Sequence, residues 1–261
     1  MKSKKISILM TCFNASKYIK SSIQSIINQK YKYWELIIVD DFSSDNSVKI
    51  IKKINCKKIR LYKLKKHIGR TESLNYGLKK IKSDFIAILD ADDISFKNRL
   101  LHQINFLSKH KDIDLVGAWA SLINEKGKIL KDRIVKPSLK DLKNNMIFTN
   151  VFSHSSVMFR KRIFEKVKKY PSHFVYMQDY AFILNIMKYY KIYIMPKILV
   201  QNRMDRSSMT FTVPYRRIIK EKIKLLDFTS RNFHLNFATR ILWLNEYIKA
   251  NIKFFFVRMG V

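Results

Sequence analysis

Short apolar runs alternate with segments of helical periodicity over the first 120 residues, and this alternation constrains the fold more than any other feature. Such an order is typical of βαβ units, in which parallel strands are joined by crossover helices. The runs are almost wholly apolar, so we expect strands that are buried on both faces. The predicted strands are Ile6–Met10, Glu35–Val39, Arg60–Leu64, Phe85–Leu89 and Leu115–Ala118.

The segments between these strands have the spacing of amphipathic helices. Their apolar faces consist of Ile19, Ile23, Ile26 and Ile27 in one helix and of Leu74, Leu78 and Ile81 in another. The chain is therefore predicted to be α/β, with a Rossmann-like, mainly parallel central sheet flanked by helices.

The pattern loosens after about Ser121, and the remaining elements are predicted one by one. They are a hairpin around Glu125–Gly127, a helix near Leu139–Met146, a strand near Ser156–Phe159 and a helix over about Asp179–Tyr190. From Pro214 onward the chain is basic and aromatic. We divide it into a domain over 1–213 and a basic, helical C-terminal extension over 214–261.

The chain carries a large positive charge, because 52 Lys and Arg residues stand against 20 Asp and Glu residues, a net charge of +32. This surplus is compatible with nucleic acid, with an anionic membrane surface or with a phosphate-bearing small molecule as partner. It is equally compatible with lysine as a general solubilising residue. Composition alone does not choose between these interpretations.

Cys12 and Cys56 are isolated and lie within or beside apolar segments, so they are interpreted as reduced, buried residues. The apolar segment from Ile6 to Phe13 is short and lacks a cleavage pattern, which favours a first strand over a signal peptide. No charge-free apolar run reaches about 18 residues, so no membrane span is expected.

Acidic residues are scarce, yet they follow two of the predicted strands directly. Asp40 and Asp41 follow the second strand, and Asp90, Asp92 and Asp93 follow the fourth. Because ligands bind outside the carboxyl ends of strands in open α/β sheets, both clusters should meet at one edge. Their repulsion needs a cation or hydrogen-bond donors, and Mg²⁺ or Mn²⁺ takes such oxygen ligands together with substrate phosphates. The alternative is a solvated, Asp-rich turn.

A third polar element lies between these clusters, at the opening of the helix after the third strand. Gly69 permits close backbone approach, and Arg70 at a helix N-terminus would add positive charge where a diphosphate could lie. Asn75 and Gly77 follow in the same helix. A turn glycine and a surface arginine would give the same pattern.

Four motifs follow one another along the chain: Ile-Leu-Met-Thr-Cys-Phe-Asn at 8–14, Val-Asp-Asp-Phe-Ser-Ser-Asp at 39–45, Gly-Arg with Asn-Tyr-Gly at 69–70 and 75–77, and Asp-Ala-Asp-Asp at 90–93. In this order they resemble the family 2 glycosyltransferases of the GT-A fold. The resemblance covers about residues 5–120 strongly and thins toward about 210. It implies a nucleotide-sugar-binding half over 1–120 and an acceptor-binding half over 121–213.

The resemblance implies a role for each matching position. Phe13 would pack on the uracil, Asn14 would begin the adjoining helix, and Asp41 would hydrogen-bond the base. Asp92 would bind the metal, Mn²⁺ or Mg²⁺, while Asp93 would assist locally or hold the turn. The complete donor-binding set is Thr11, Phe13, Asn14, Asp41, Gly69, Arg70, Asp90, Ala91 and Arg203.

The family also places a catalytic carboxylate at the start of a later helix, and Gln178-Asp179-Tyr180 resembles this Glu-Asp signature. Asp179 is the implied general base, which takes the proton from an acceptor hydroxyl. It is also a suitable helix N-cap, and the two roles are compatible. His154 resembles a family position on the acceptor side, and Arg203, near Ser207 and Ser208, one beside the diphosphate.

The departures from the family pattern do not change these acidic residues. Thr11 replaces a common Pro, Phe42 a common Gly and Gln178 a Glu, and Asp205 stands where His is frequent. The Gln-x-x-Arg-Trp signature of processive synthases is absent, which favours transfer of a single sugar. The resemblance thus implies an inverting enzyme that uses a UDP-sugar and a glycan or lipid-linked acceptor in surface-glycan synthesis.

The C-terminal extension has a net charge of +7 after Pro214, from ten basic and three acidic residues. Two interpretations of its aromatic residues stay open, namely packing on the domain and attachment to an anionic membrane. The aromatic residues are Trp243, Tyr247, Phe254, Phe255 and Phe256, interleaved with Arg240, Lys249, Lys253 and Arg258. We expect a cytoplasmic protein, peripheral at the inner face of the membrane if the second interpretation holds.

Two other classes of protein compete with this reading. The charge and the aromatic residues suit a nucleic-acid-binding protein, but the acidic edge would repel phosphates, so no nucleic acid is expected. A nucleotide-binding scaffold without activity is the other alternative, and the presence of Asp92 and Asp179 argues against it.

Overall fold

The computed structural model describes residues 4–135, 139–205, 213–235 and 237–259. Side chains within these ranges are described except at 139–141, 237–238 and 254–259. Ser207 and Ser208 lie outside the described residues, and the side chains of Phe254, Phe255, Phe256 and Arg258 are not described.

Parallel strands joined by helices form the first half of the chain, as its apolar pattern predicts. Four strands lie side by side in the order β3-β2-β1-β4, all of them parallel. Their bounds, with those of the intervening helices, are β1 Ile6–Cys12, α1 Ile19–Ile27, β2 Trp34–Asp40, α2 Ser47–Lys52, β3 Ile59–Lys63, α3 Arg70–Leu78 and β4 Phe85–Ile88.

The second half extends the same sheet with mixed pairing. Beyond β4 the sheet continues as β8-β6-β9-β5, with β7 paired to β6. Strand β8 is antiparallel to both neighbours, whereas β6 and β9 are parallel. The elements are β5 Ile94–Ser95, α4 Arg99–Lys109, β6 Ile113–Ile123, β7 Ile129–Arg133, α5 Leu139–Phe148, β8 Met158–Arg160, α6 Gln178–Tyr189 and β9 Lys191–Arg203.

Alternate residues of the central strands face two separate apolar cores. In β1, Ile8 and Met10 pack into one core together with α1 and α4, while Leu9 packs into the other with α3 and α6. This period of two is what the pleat of a strand dictates, and burial on both faces explains the continuous apolar runs. A Cβ on Gly77 would lie 2.3 Å from Leu9 Cδ1, so this glycine allows α3 to pack closely on β1.

The prediction that all five strands are buried on both faces is wrong for β3. Its residues are half-buried or exposed. Strand β3 pairs only with β2 among the described strands and forms an edge of the sheet. An edge strand has solvent beside it, which is why Arg60 and Lys63 are accommodated there.

The C-terminal extension consists of two helices, α7 Tyr215–Asn232 and α8 Phe237–Met259. Leu225 and Phe233 belong to the main core, and Trp243 donates a hydrogen bond to the carbonyl of Leu226 at 2.9 Å. Trp243 also stacks on Tyr247, with 4.9 Å between ring centroids. The extension therefore packs on the domain through Leu225, Phe233 and Trp243, whereas the hydrogen bond of Trp243 joins α8 to α7 and its stack on Tyr247 lies within α8.

Candidate active site

The acidic turn, Asp90–Asp93, follows β4 at the carboxyl edge of the parallel strands. The amide of Asp93 donates to the carbonyl of Asp90 at 3.2 Å, which closes the turn. Ser22 Oγ on α1 donates to the carbonyl of Ala91 at 2.7 Å. The turn is thus fixed beside α1, with Ala91 and Asp93 buried and Asp90 and Asp92 partly open to solvent.

Asp90 is bound by a cationic side chain from α3. Arg70 Nη2 lies 2.6 Å from Asp90 Oδ1 and 3.0 Å from His154 Nδ1, and Nε2 of His154 contacts the hydroxyl of Tyr170 at 3.0 Å. Burial by itself would raise the pKa of Asp90, but Arg70 and His154 outweigh it and hold this pKa well below its usual range. Asp90 is therefore ionised and paired, and His154 contacts this turn.

The contacts of Asp93 hold the acidic turn in place. It is buried, and it accepts hydrogen bonds from Ser155 Oγ, from Asn202 Nδ2 at 2.7 Å and from the amide of Arg203 at 2.8 Å. Burial and the neighbouring carboxylates of Asp92 and Asp90 raise its pKa well above the usual value. These contacts join the turn to β9, which matches the turn-holding role suggested for this residue.

Asp92 is the carboxylate of the turn that is available to a ligand. Its side chain accepts no hydrogen bond from another side chain in the described part of the chain. Burial, followed by the charge of Asp90, raises the pKa of Asp92 to about 6. Its main-chain carbonyl accepts from Arg203 Nε at 3.0 Å, so the backbone here is fixed beside β9.

Arg203 lies against the acidic turn at the end of β9. Its Nη1 donates to the carbonyls of Asn124 and Glu125, each at 3.0 Å, and its guanidinium lies 4.4 Å from the ring centroid of Tyr18. The predicted hairpin around Glu125–Gly127 is confirmed, and its tip is thereby joined to the site. The arginine is rigidly held next to Asp92.

Asp41 holds the chain that leads into α3. Its Oδ1 accepts from the amide of Ile68 at 2.8 Å, and its Oδ2 accepts from the amide of Gly69 at 2.9 Å and lies 3.0 Å from His67 Nδ1. Gly69 has a φ of 85°, which glycine adopts without strain, and α3 begins at the next residue, Arg70. The predicted placement of Arg70 at a helix N-terminus is confirmed.

An aromatic pair is exposed beside Asp41. The rings of Phe13 and His67 lie 4.3 Å apart and are tilted by 34°, and Phe13 is 48% exposed. Phe42 has a φ of 66°, a left-handed conformation that explains why glycine is common at this position in the family. A planar ligand could stack at this surface.

Asn14 and Thr11 belong to the same edge. The expectation that Asn14 begins the adjoining helix is wrong, because α1 begins at Ile19. Asn14 has a φ of 49°, and its Oδ1 accepts from the amide of Ser44 at 2.9 Å. It therefore joins the loops after β1 and β2, while Thr11 is half-buried within β1.

Asn75 is likewise a structural residue. Its Nδ2 donates to the carbonyl of Tyr170 at 3.0 Å, and its Oδ1 accepts from the amide of Tyr170 at 2.9 Å. This reciprocal pair holds the chain that precedes α6 against α3. Asn75 thus contributes no free group to a diphosphate site.

Asp179 lies in the first turn of α6 and faces a cavity of about 520 Å³. Asn150 Nδ2 donates to Asp179 Oδ2 at 3.0 Å. We name this space the α6 cavity, and its lining residues are Phe148, Thr149, Asn150, Met177, Asp179, Tyr180, Lys222 and Glu246. Two of these, Lys222 and Glu246, come from the C-terminal extension and form an ion pair at 2.9 Å.

Arg70 connects the acidic turn with the start of α6. With its amide oriented to satisfy both neighbours, Gln178 accepts from Arg70 Nη1 at 3.3 Å and donates to the carbonyl of Val175 at 2.8 Å. Burial would lower the pKa of Arg70, but Asp90, Asp179 and Asp92 together raise it. Arg70 is thus a permanent cation between the two acidic groups.

Several contact residues have no sequence signal of their own. Ser155 and Asn202 adjoin positions that the family resemblance marks, but nothing in their spacing indicates a bond to Asp93. Glu221, which contacts the chain before α6, is one of three acids in a basic segment, and that scarcity is the only signal.

Comparisons with known proteins agree with this geometry. Residues 7–168 match the model of glycosyl transferase family 2. The chain is 34% identical to an uncharacterized glycosyltransferase of Methanocaldococcus jannaschii over 84% of this chain and 76% of that protein. It is 33% identical to the O-antigen biosynthesis glycosyltransferase WbnJ of Escherichia coli, over 70% of this chain and 71% of that protein.

Solved structures share the fold at low sequence identity. S. aureus TarS 1-349 in complex with UDP-GlcNAc superposes with a TM-score of 0.73 at 19% identity, covering 96% of this chain and 73% of that one. A mannosyltransferase of Pyrobaculum calidifontis in complex with GDP-Man and Mn²⁺ gives 0.66 at 15% identity, covering 94% and 68%. The chain belongs to glycosyl transferase family 2 and has the GT-A fold.

Proposed function

We propose that this chain transfers a single sugar from a UDP-sugar to an acceptor hydroxyl, with inversion at the anomeric carbon. The observation that carries the proposal is Arg70, which contacts Asp90 in the acidic turn and Gln178 beside Asp179. In this proposal the donor site at Asp90 and the base Asp179 lie on either side of this one cation. TarS, a structural neighbour, is described in complex with UDP-GlcNAc.

The donor lies along the carboxyl edge of the parallel strands in this proposal. Phe13 stacks on the uracil. Asp41 contacts the base through Oδ1, which accepts only one hydrogen bond from the described residues. Arg70 and Arg203 lie beside the diphosphate and offset its charge. Thr11, Asn14, Gly69 and Ala91 shape the backbone around the donor.

The residues present are compatible with one divalent cation. Asp92 supplies a carboxylate without a competing side chain, and Mg²⁺ or Mn²⁺ commonly binds through one or two carboxylates and substrate phosphates. Within the described ranges no group of three His, Cys, Asp or Glu side chains could hold a metal by itself, so the diphosphate must complete the site. A bound cation would stabilise negative charge on the departing UDP.

Asp179 acts as the general base at the α6 cavity. Its carboxylate removes the proton from the acceptor hydroxyl while that oxygen attacks the anomeric carbon. The new C–O bond forms as the bond between the anomeric carbon and the diphosphate breaks, and UDP leaves with the electron pair. A single displacement inverts the anomeric configuration. The acceptor is a hydroxyl of a glycan or of a lipid-linked saccharide.

A donor screen tests this function. UDP-sugars are incubated with the protein and Mn²⁺ or Mg²⁺, and UDP release is measured with and without saccharide acceptors. We expect turnover of at least one UDP-sugar, its loss with EDTA, and its loss in Asp92→Ala and Asp179→Asn. Failure of every UDP-sugar to bind in the presence of either metal would refute the proposal.

We further propose that the C-terminal extension attaches to an anionic membrane surface. None of the described helices is long and apolar enough to cross a membrane. One side of α8 nevertheless exposes Ile241, Leu244, Ile248 and Ile252, at the spacing of one helix face. The net charge of +7 on the extension complements anionic lipid, and an amphipathic helix binds a bilayer through such a face.

Vesicle flotation tests this attachment. The intact chain is compared with the triple variant Ile241→Ser, Leu244→Ser and Ile248→Ser on vesicles with and without anionic lipid. The intact chain should float only with anionic vesicles, and the triple variant should remain at the bottom of the gradient. Equal flotation of the two proteins would exclude α8 as the anchor.

A further inference from the structure

The chain that enters α6 is held by a carboxylate from the C-terminal extension. Glu221 on α7 accepts three backbone hydrogen bonds, from the amide of Val175 at 2.8 Å to Oε1, and from the amides of Tyr176 at 2.9 Å and Met177 at 2.8 Å to Oε2. It is buried, with 7% of its surface exposed. Glu221 thus binds the three residues that directly precede the helix bearing Asp179.

This contact fixes the chain at the N-cap of α6 and just before it. Met177 occupies the N-cap position, and its side chain makes no capping hydrogen bond. Glu221 accepts from the amide of this N-cap residue and from the two amides before it, so it holds the chain entering the helix and not the amides of its first turn. Glu221 has no Lys or Arg partner within 4.0 Å in the described part of the chain. Hydrogen bonds from the three backbone amides therefore offset most of the cost of burying its carboxylate.

The same segment also determines where Gln178 and Asp179 lie. The carbonyl of Val175 accepts a hydrogen bond from the side-chain nitrogen of Gln178, and the side-chain oxygen of Gln178 accepts one from Arg70. A shift at Val175–Met177 would therefore move the first turn of α6 relative to both Arg70 and the α6 cavity. Misplacement by about 1 Å can cost an enzyme on the order of a hundredfold in rate.

We propose that Glu221 is a positioning residue for the transfer reaction: it holds the chain entering α6 so that Asp179 is correctly placed at the α6 cavity. This inference rests on the proposed role of Asp179. It assigns to the extension a part in the reaction that is separate from any attachment to a membrane.

The test is a double-mutant cycle in the full-length chain. Glu221→Gln, Asp179→Asn and the double variant are compared, with Asp227→Asn as the control. Asp227 lies on the same helix, is only half-buried and forms no ion pair in the described residues. Glu221→Gln keeps the shape of the side chain but presents an amide donor to one of the backbone amides.

We expect Glu221→Gln to lower kcat by about tenfold to a hundredfold while the Kd for UDP changes less than about twofold. The double variant should be no slower than Asp179→Asn alone, because a residue that acts through Asp179 has nothing left to position. Asp227→Asn should match the wild type. Glu221→Asp, which keeps the charge and shortens the reach, should fall between wild type and Glu221→Gln.

Amide hydrogen exchange of the region around Val175–Met177 gives a readout independent of turnover. Exchange should accelerate in Glu221→Gln and remain unchanged in Asp227→Asn. Unchanged kcat in Glu221→Gln, or losses that multiply in the double variant, would overturn the positioning role. Full transfer by Asp179→Asn would instead refute the proposed base, and it is measured in a protein in which Glu221 is intact.

Discussion

The acidic turn and the start of α6 are held in different ways, although both carry carboxylates proposed for the reaction. The turn is fixed by contacts from α1, β9 and the residues around His154, so that several bonds converge on Asp93 and Ala91. The start of α6 is held by Asn150 and Glu221, from segments far apart in sequence, and by Arg70 through Gln178. We call the acidic turn the donor side and the start of α6 the base side. We infer that the donor side tolerates the loss of one contact and that the base side does not.

The largest effect is expected where the base itself is removed. Asp179→Asn should lower the transfer rate by about 10²- to 10⁴-fold, which is the usual contribution of a general base. The affinity for UDP should stay within about twofold, because the donor binds at the acidic turn. Initial rates of UDP release with a saccharide acceptor measure the first quantity, and a folded variant that retains full transfer would exclude this role.

The next largest effect concerns Asp92 and pH. Its pKa of about 6 means that the carboxylate is ionised above this pH and protonated below it. Metal-dependent binding of UDP should therefore weaken as the pH falls from 7.5 to 5, by up to about tenfold per unit below the pKa. Equilibrium titrations at several pH values measure this, and EDTA should abolish the dependence.

Two variants separate Asp92 from general effects of pH. Asp92→Asn should bind UDP weakly at every pH, with only the shallower pH dependence that comes from the terminal phosphate of UDP, whose second pKa is about 6. Asp84→Asn is the matched control, because Asp84 is exposed and precedes the same strand at its other end. A pH dependence as steep in Asp92→Asn as in the wild type would assign the titration to a group other than Asp92.

A smaller effect is expected at Arg70. Arg70→Lys keeps the charge but loses the planar group that reaches Asp90, His154 and Gln178 at once. We expect kcat/KM to fall by about tenfold, the cost of a little over 1 kcal/mol in transition-state binding. Steady-state kinetics measure it, and an unchanged kcat/KM would mean that the cation does not link the two regions.

The smallest effect is expected at Ser22, where a substitution tests whether the contacts that hold the acidic turn are redundant. Ser22→Ala removes one hydrogen bond, to the carbonyl of Ala91, and should lower the free energy of unfolding by about 1 kcal/mol. The Kd for UDP should change less than about twofold, since the other contacts remain. Urea unfolding measures the stability, with the exposed Ser21→Ala as control. A large loss of UDP affinity in Ser22→Ala would show that the turn is not redundantly held.

The sequence predicts most of the donor side, because the signals there are local. Strands β1, β2 and β4 are continuous apolar runs, the carboxylates directly follow them, and Gly69 directly precedes α3. The exposure of β3 was not predictable in this way, since apolarity does not distinguish an edge strand from a central one. The roles of Asp93 and Asn75 likewise depend on partners about a hundred residues away.

The base side is less predictable for the same physical reason. The helix and Asp179 follow from periodicity and from the family signature. Nothing near Asp179 in sequence, however, indicates that Asn150 binds it or that Glu221 binds the chain before it, because these contacts arise only when the chain after α5 and α7 come together at the start of α6. In sequence the extension is a basic, aromatic tail, and the backbone of the chain before α6 is bound by the one buried acid among its described residues, Glu221.

The affinity of the protein for UDP with Mn²⁺, measured by calorimetry in wild type, Asp92→Asn and Asp179→Asn, tests the division between the two regions most directly. We predict that Asp92→Asn weakens binding by at least about tenfold, as expected for the loss of a charged ligand to the metal, while Asp179→Asn stays within about twofold. Equal weakening in both variants, or no binding of UDP to the wild type, would contradict the account.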